Sequence, residues 1–277
     1  MIKLRKGCAE MKNDRIFDIL TKLVPPARDN GRRFTVCDRL SAIQELLWNS
    51  KYRRVNPQGL FHLYSAKPLD KIKGPVLLVS SHIDTPDGAG RCFLEEEDGV
   101  FTGTADAAAV NAALLSVMLD SELPDNVLIA FTGGRNADFN GALQAAEYLR
   151  SMNISADIAA VLDITLSGVS EGADLTIENN FWDDEEGGKL IGLIRSLTTK
   201  WYFVPADVKN IPSYVYPDRV IHHEAGEDES WRYDELDMDC FSLRLPVKPA
   251  GSGCTYSFRR EQLTAYAEAV EKVLKFW

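Results

Sequence analysis

The sequence predicts an α/β protein of three layers, a mostly parallel central sheet with helices on both faces. Two observations predict it. Apolar runs that read as buried strands, Val76 to Val79, Val127 to Thr132 and Ile158 to Leu162, alternate with loops and stretches of helical spacing. Strand, loop, helix in repetition is the pattern of right-handed parallel connections. In addition, chemistry-bearing side chains follow the runs: His82, Asp84 and Thr85 after the first, Asp163 after the third. The carboxyl edge of such a sheet is where ligands and reactive groups collect.

Each element has its own signal. Ile16, Phe17, Ile19, Leu20 and Leu23 at helical spacing predict a helix from Asn13 to Val24, ended by Pro25-Pro26. A second amphipathic helix is expected from about Thr35 to Asn49, then a strand from Gly59 to Ser65. His62 alternates with apolar neighbours inside that strand, so it reads as structural. After the first buried run, which breaks at Ser80-Ser81, residues 87–104 read as a loop with short paired strands closed by a turn from Glu95 to Gly99. Asp106 stands before a helix built from Ala107 to Leu119, and another helix is expected from Gly141 to Met152. Further on, Asp174 to Phe181 and Cys240 to Val247 read as strands, Lys189 to Thr199 and Glu261 to Phe276 as helices. The acidic WDDEEGGK run before Lys189 fits a solvated helix start favoured by the helix dipole.

Composition excludes several function classes. The 277 residues are 45% hydrophobic and 26% charged, ordinary for a soluble globular chain, and no repeat or linker divides them, so residues 1–277 read as a single domain. A net charge of −10 argues against a nucleic-acid surface. No apolar run approaches membrane-spanning length, and no secretory leader follows the basic N-terminus. Five widely spaced cysteines without a CxxC pair fit thiols in a reducing compartment, so a cytoplasmic location is expected.

Residue chemistry alone suggests a metal. One imidazole and several carboxylates at a single sheet edge form the ligand set of a divalent transition ion such as zinc. The glycines near residue 88 invite a phosphate-loop reading, but neither phosphate-binding glycine motif is present. His222-His223-Glu224 lies in a polar loop and reads as solvated.

Four blocks in order, SHIDT, GTAD before an Ala-rich helix, FTGGRNADFNGA and VLDIT, resemble the co-catalytic zinc exopeptidases, which include bacterial leucyl and glutamyl aminopeptidases and related deacylases. The resemblance covers about residues 14–277 and implies a catalytic-type domain without the inserted lid or dimerisation domain of many relatives. It implies that His82 and Asp163 bind one ion, that Asp106 reaches that ion as a bridging ligand, and that Asp84 orients the His82 ring through its other nitrogen. It also implies a cis peptide bond after Asp106.

The resemblance is incomplete at the second ion. Where the family carries two consecutive glutamates, a general base and a ligand, this chain has Gly134 and Arg135. The family's last histidine is missing from LPVKPAGSGCTYSF, where Cys254 offers a thiolate. Arg135 would place a fixed guanidinium where the second cation had balanced Asp106; at about 4 Å and an effective dielectric of about 20 such a pair gains roughly 4 kcal/mol before desolvation. A positioned base is worth about 10² to 10⁴ in rate, and Asp138, Glu171, Asp228 and Glu229 are the carboxylates available to replace it. The expectation is therefore a metallopeptidase-type protein with at most one metal ion and weak or absent hydrolysis of N-terminal residues. The alternatives are an inactive protein that binds a peptide or small molecule or serves as an oligomer subunit, and a nucleotide-binding domain.

Overall fold

The computed structural model describes residues 15–24, 36–56, 59–84, 93–104, 106–134, 140–179, 189, 192–193, 196–197, 199–205, 228–251 and 254–277. Its centre is an eight-stranded sheet of order β1-β2-β6-β3-β7-β10-β8-β9. These strands are β1 (Arg53–Arg54), β2 (Phe61–Ser65), β3 (Val76–His82), β6 (Val127–Thr132), β7 (Ala156–Thr165), β8 (Leu175–Asn179), β9 (Trp201–Pro205) and β10 (Asp239–Pro246). The four middle strands, β6, β3, β7 and β10, run parallel, whereas β2 and β8 flank them antiparallel. A smaller sheet of order β11-β12-β5-β4 joins β4 (Leu94–Glu97), β5 (Val100–Gly103), β11 (Lys248–Pro249) and β12 (Tyr256–Arg259).

The helices are α1 (15–23), α2 (Val36–Leu47), α3 (Ala108–Asp120), α4 (Asn140–Ser151), a short α5 (Ser230–Asp234) and α6 (Arg260–Leu274). Side chains alternate across the sheet, so each strand feeds two cores. Leu77, Val79, Ile129, Phe131, Ala160, Leu162, Phe241 and Leu243 join α1, α3 and α6 in one core. Leu78, Leu128, Ala130, Ala159, Val161 and Cys240 join α4 and α5 in the other. α3 is buried all round along Ala108–Met118, with Asn111 and Ser116 its only polar residues there, which is why its sequence shows no polar stripe.

The first and third buried runs continue into polar residues without ending. Ser80, Ser81 and His82 complete β3, and Asp163 lies inside β7, two residues before its end. Hydropathy alone ends both strands earlier; backbone pairing to β6 and β10 carries them on. β9, β12 and α5 had no signal strong enough to be read. The acidic run at 182–188 and the histidines at 222–223 lie outside the described residues.

His62 is a core histidine. It is 7% exposed, its Nδ1 lies 3.4 Å from the Tyr64 hydroxyl, and burial, with Arg54 nearby, lowers its pKa to about 4. Its folded pKa lies below the unfolded value of about 6.5, so the unfolded chain takes up more protons between these values. The contribution is therefore whole above about pH 6.5 and lost as pH falls toward 4. Denaturant titrations of wild type should lose about 2 kcal/mol more between pH 7 and pH 5 than those of H62L.

Candidate metal centre

Three elements bring the predicted residues together at the carboxyl edge of the sheet. His82 closes β3, Asp163 comes from the neighbouring β7, and Asp106 from the turn entering α3. His82 Nε2 lies 3.2 Å from Asp163 Oδ1 and 3.4 Å from Asp106 Oδ1, and all three side chains are buried. Among the described residues this is the one His/Cys/Asp/Glu group whose ligand atoms all fall within 4.8 Å of one another.

Local structure fixes each member. The first turn of α3 ties to β3 through Asn111, whose side-chain amide donates to the His82 carbonyl at 2.8 Å. Arg39, buried between α1 and β3, donates to the carbonyls of Ile83 and Leu23 and so closes the far side of the strand end. Asp163 Oδ1 also accepts the Ile164 amide at 2.7 Å. Ala107, directly after Asp106, has φ 57° and ψ −34°, an uncommon conformation for a residue with a Cβ, and is fully buried. The step after Asp106 is trans, as is every peptide bond among the described residues, so the cis step expected from the resemblance is not found.

Electrostatics match the geometry. Burial opposes charge on His82, but Asp163 and Asp106 outweigh it and raise the imidazole pKa to about 10. The donor set also fits a small divalent ion. A tetrahedral ion with bonds of about 2.0 to 2.2 Å separates its ligand atoms by about 3.3 to 3.6 Å, close to the 3.2 and 3.4 Å found here. Proton and metal would occupy the same seat.

The remaining expected residues fall as follows. Asp84 is buried, with its carboxylate set against Gly133 at the end of β6. Gly134 has φ +80° and no side chain to offer. Gly141, opening α4, approaches so closely that a Cβ would sit 2.3 Å from the Gly133 carbonyl oxygen, which explains the small residues in this block. Arg135, Asp138 and Thr85 lie outside the described residues. Glu171 is exposed and accepts from the Ser170 hydroxyl. Cys254, half-buried, is not a member of the metal-compatible group.

Sequence reasoning missed a buried polar belt beneath the three residues. Glu229, 1% exposed, accepts hydrogen bonds from the hydroxyls of Ser80 and Thr132, and the Tyr233 hydroxyl donates to Ser80 Oγ at 2.7 Å. Burial pushes the Glu229 carboxyl up to about 7, with His82 and the two hydroxyls opposing the shift. Next to it, Arg244 Nε lies 2.9 Å from Glu178 and a terminal nitrogen 2.6 Å from Asp228, which also accepts the Ser242 hydroxyl at 2.6 Å. Burial raises Glu178 to about 7 against the pull of Arg244. The signal was present as period-two spacing, Ser80 with His82 and Ser242 with Arg244, at the ends of otherwise apolar strands.

No family model matches the chain, and no curated protein does. Solved structures match over nearly its full length. An aminopeptidase, APDkam598, from the archaeon Desulfurococcus kamchatkensis superposes with a TM-score of 0.68 at 13% identity, covering 95% of both chains. The TET aminopeptidase from the marine sediment archaeon Thaumarchaeota archaeon SCGC AB-539-E09 gives 0.67 at 10%, covering 95% of this chain and 96% of its own. The LapA aminopeptidase of Legionella pneumophila gives 0.60 at 10%, covering 99% and 75%. The chain therefore has the fold of these aminopeptidases.

The carboxylates beside His82 predict a test of the electrostatics. In metal-free protein followed by NMR, D163N should lower the His82 pKa by about 1 to 3 units, because a partner favouring the charged ring is gone. An unchanged pKa would contradict the pairing.

Proposed function

We propose that this chain is an aminopeptidase-type metalloprotein that holds one divalent ion, zinc or another, on His82, Asp106 and Asp163. The observation that carries the reading is the pair of nitrogen–oxygen separations, 3.2 and 3.4 Å, in a buried imidazole–carboxylate group at the sheet's carboxyl edge. When bound there, such an ion supplies Lewis acidity toward a substrate carbonyl. Asp84 orients the His82 ring. The absence of the family's paired glutamates at Gly134 and Arg135 supports a single ion. Arg135 supplies the counter-charge in place of the second ion.

The same residues argue for weak or absent hydrolysis of N-terminal residues. Gly134 has no carboxylate to act as base. Glu229, the buried carboxylate beneath His82, has its oxygens engaged by Ser80 and Thr132. This favours, as a second reading, an inactive protein whose pocket binds a peptide or small molecule. A homo-oligomer is part of the proposal, since one match, PhTET1-12s, at a TM-score of 0.64 and 12% identity, is a dodecamer in the asymmetric unit of its crystal. No described helix is long and apolar enough to cross a membrane. Cys37 is an exposed thiol, and the Cys240 thiol donates to the Ser230 carbonyl, which supports a cytoplasmic protein.

Metal content and turnover, measured on one preparation, test the reading. About one equivalent of metal, lost in H82A, is expected, with aminoacyl-substrate turnover at least about 10² below that of an aminopeptidase with an intact base. Two equivalents, or full chelator-sensitive turnover, would overturn it.

A further inference from the structure

The proposed metal centre has a second buried cation beside it. Arg244, 4% exposed, stands on β10 in register with Asp163 on β7, and both side chains project from the same face of the sheet. Adjacent strands lie about 4.8 Å apart, well within the reach of an arginine side chain. A guanidinium and a divalent ion are thus rivals for one carboxylate. A positively charged group drawn onto Asp163 would neutralise it and repel the incoming ion.

Two carboxylates with no place in the metal centre stand where they can decide this contest. Glu178 on β8 lies 2.9 Å from Arg244 Nε, and Asp228 lies 2.6 Å from a terminal nitrogen. Both are 2% exposed. Asp228 is itself fixed by the Ser242 hydroxyl at 2.6 Å and the Ser230 amide at 2.8 Å, so the strand that bears Arg244 also supplies a donor to its restraint. The Asp228 contact is a charge-assisted hydrogen bond, the strong kind, and Glu178 adds an ion pair at Nε, so the guanidinium is held from two sides with little freedom to turn.

We propose that Arg244 is a positioning residue governed by Glu178 and Asp228: the two carboxylates hold its guanidinium on their side of β10, and Asp163 thereby keeps its carboxylate for the metal ion. The idea rests on the reading of His82, Asp106 and Asp163 as a metal centre. It adds that cation affinity is set by residues that never touch the ion. Removing either restraint releases the guanidinium toward Asp163. Removing the guanidinium as well abolishes the competition.

Co²⁺ titration of the metal-stripped full chain, followed by visible absorption, tests this. Wild type should bind and H82A should not. D228N and E178Q should each weaken Co²⁺ binding by about 10- to 100-fold, the range typical of losing a residue that supports a metal ligand. D228N/R244Q and E178Q/R244Q should recover most of that loss, a result that general damage to the fold would not give. Thermal unfolding identifies any variant that does not fold, and the two restraints provide independent routes to the same answer. Failure of wild type to bind Co²⁺ removes the metal centre and this inference with it. Wild-type-like affinity in D228N and E178Q overturns the inference alone, as do double variants no tighter than the single ones.

Discussion

Two carboxylates and an imidazole, all buried and within a few ångströms of one another, are the constraint on which this molecule depends. Buried like charges repel, and a buried carboxylate without compensation is costly. The fold resolves this in the same place three times: His82 lies between Asp106 and Asp163, Arg244 between Glu178 and Asp228, and Glu229 receives hydroxyls from Ser80 and Thr132. Each solution uses residues from strands that are apolar over most of their length. The sheet delivers polar ends to a common edge because its middle strands are parallel.

The sequence was informative where periodicity and chemistry agreed. The runs around Val79, Ile129 and Val161 and the helices at 36–47 and 260–274 were legible because hydrophobic spacing follows directly from which face is buried. His82, Asp106 and Asp163 were legible because they sit next to such runs, and the block order that resembles zinc exopeptidases matches the fold found. Strand ends were less legible. Ser80, Ser81 and Asp163 belong to strands through backbone pairing, which hydropathy does not report.

The partnership of distant carboxylates with that edge was not legible at all. Asp228 and Glu229 follow a polar stretch and look, in sequence, like ordinary surface acids. Only the path of the chain into α5 places them under β3, β6 and β10, where they meet hydroxyls and a guanidinium 14 to 149 residues away in sequence. In sequence both are candidates for the missing base; in the structure Glu229 is engaged by two hydroxyls and Asp228 by an arginine and a serine.

In the proposed reading one cation, and only one, belongs between His82, Asp106 and Asp163. Anomalous diffraction from zinc-equilibrated crystals tests it most directly. A single peak within coordination distance of all three side chains is the predicted result; two adjacent peaks, or none at that position, would contradict it.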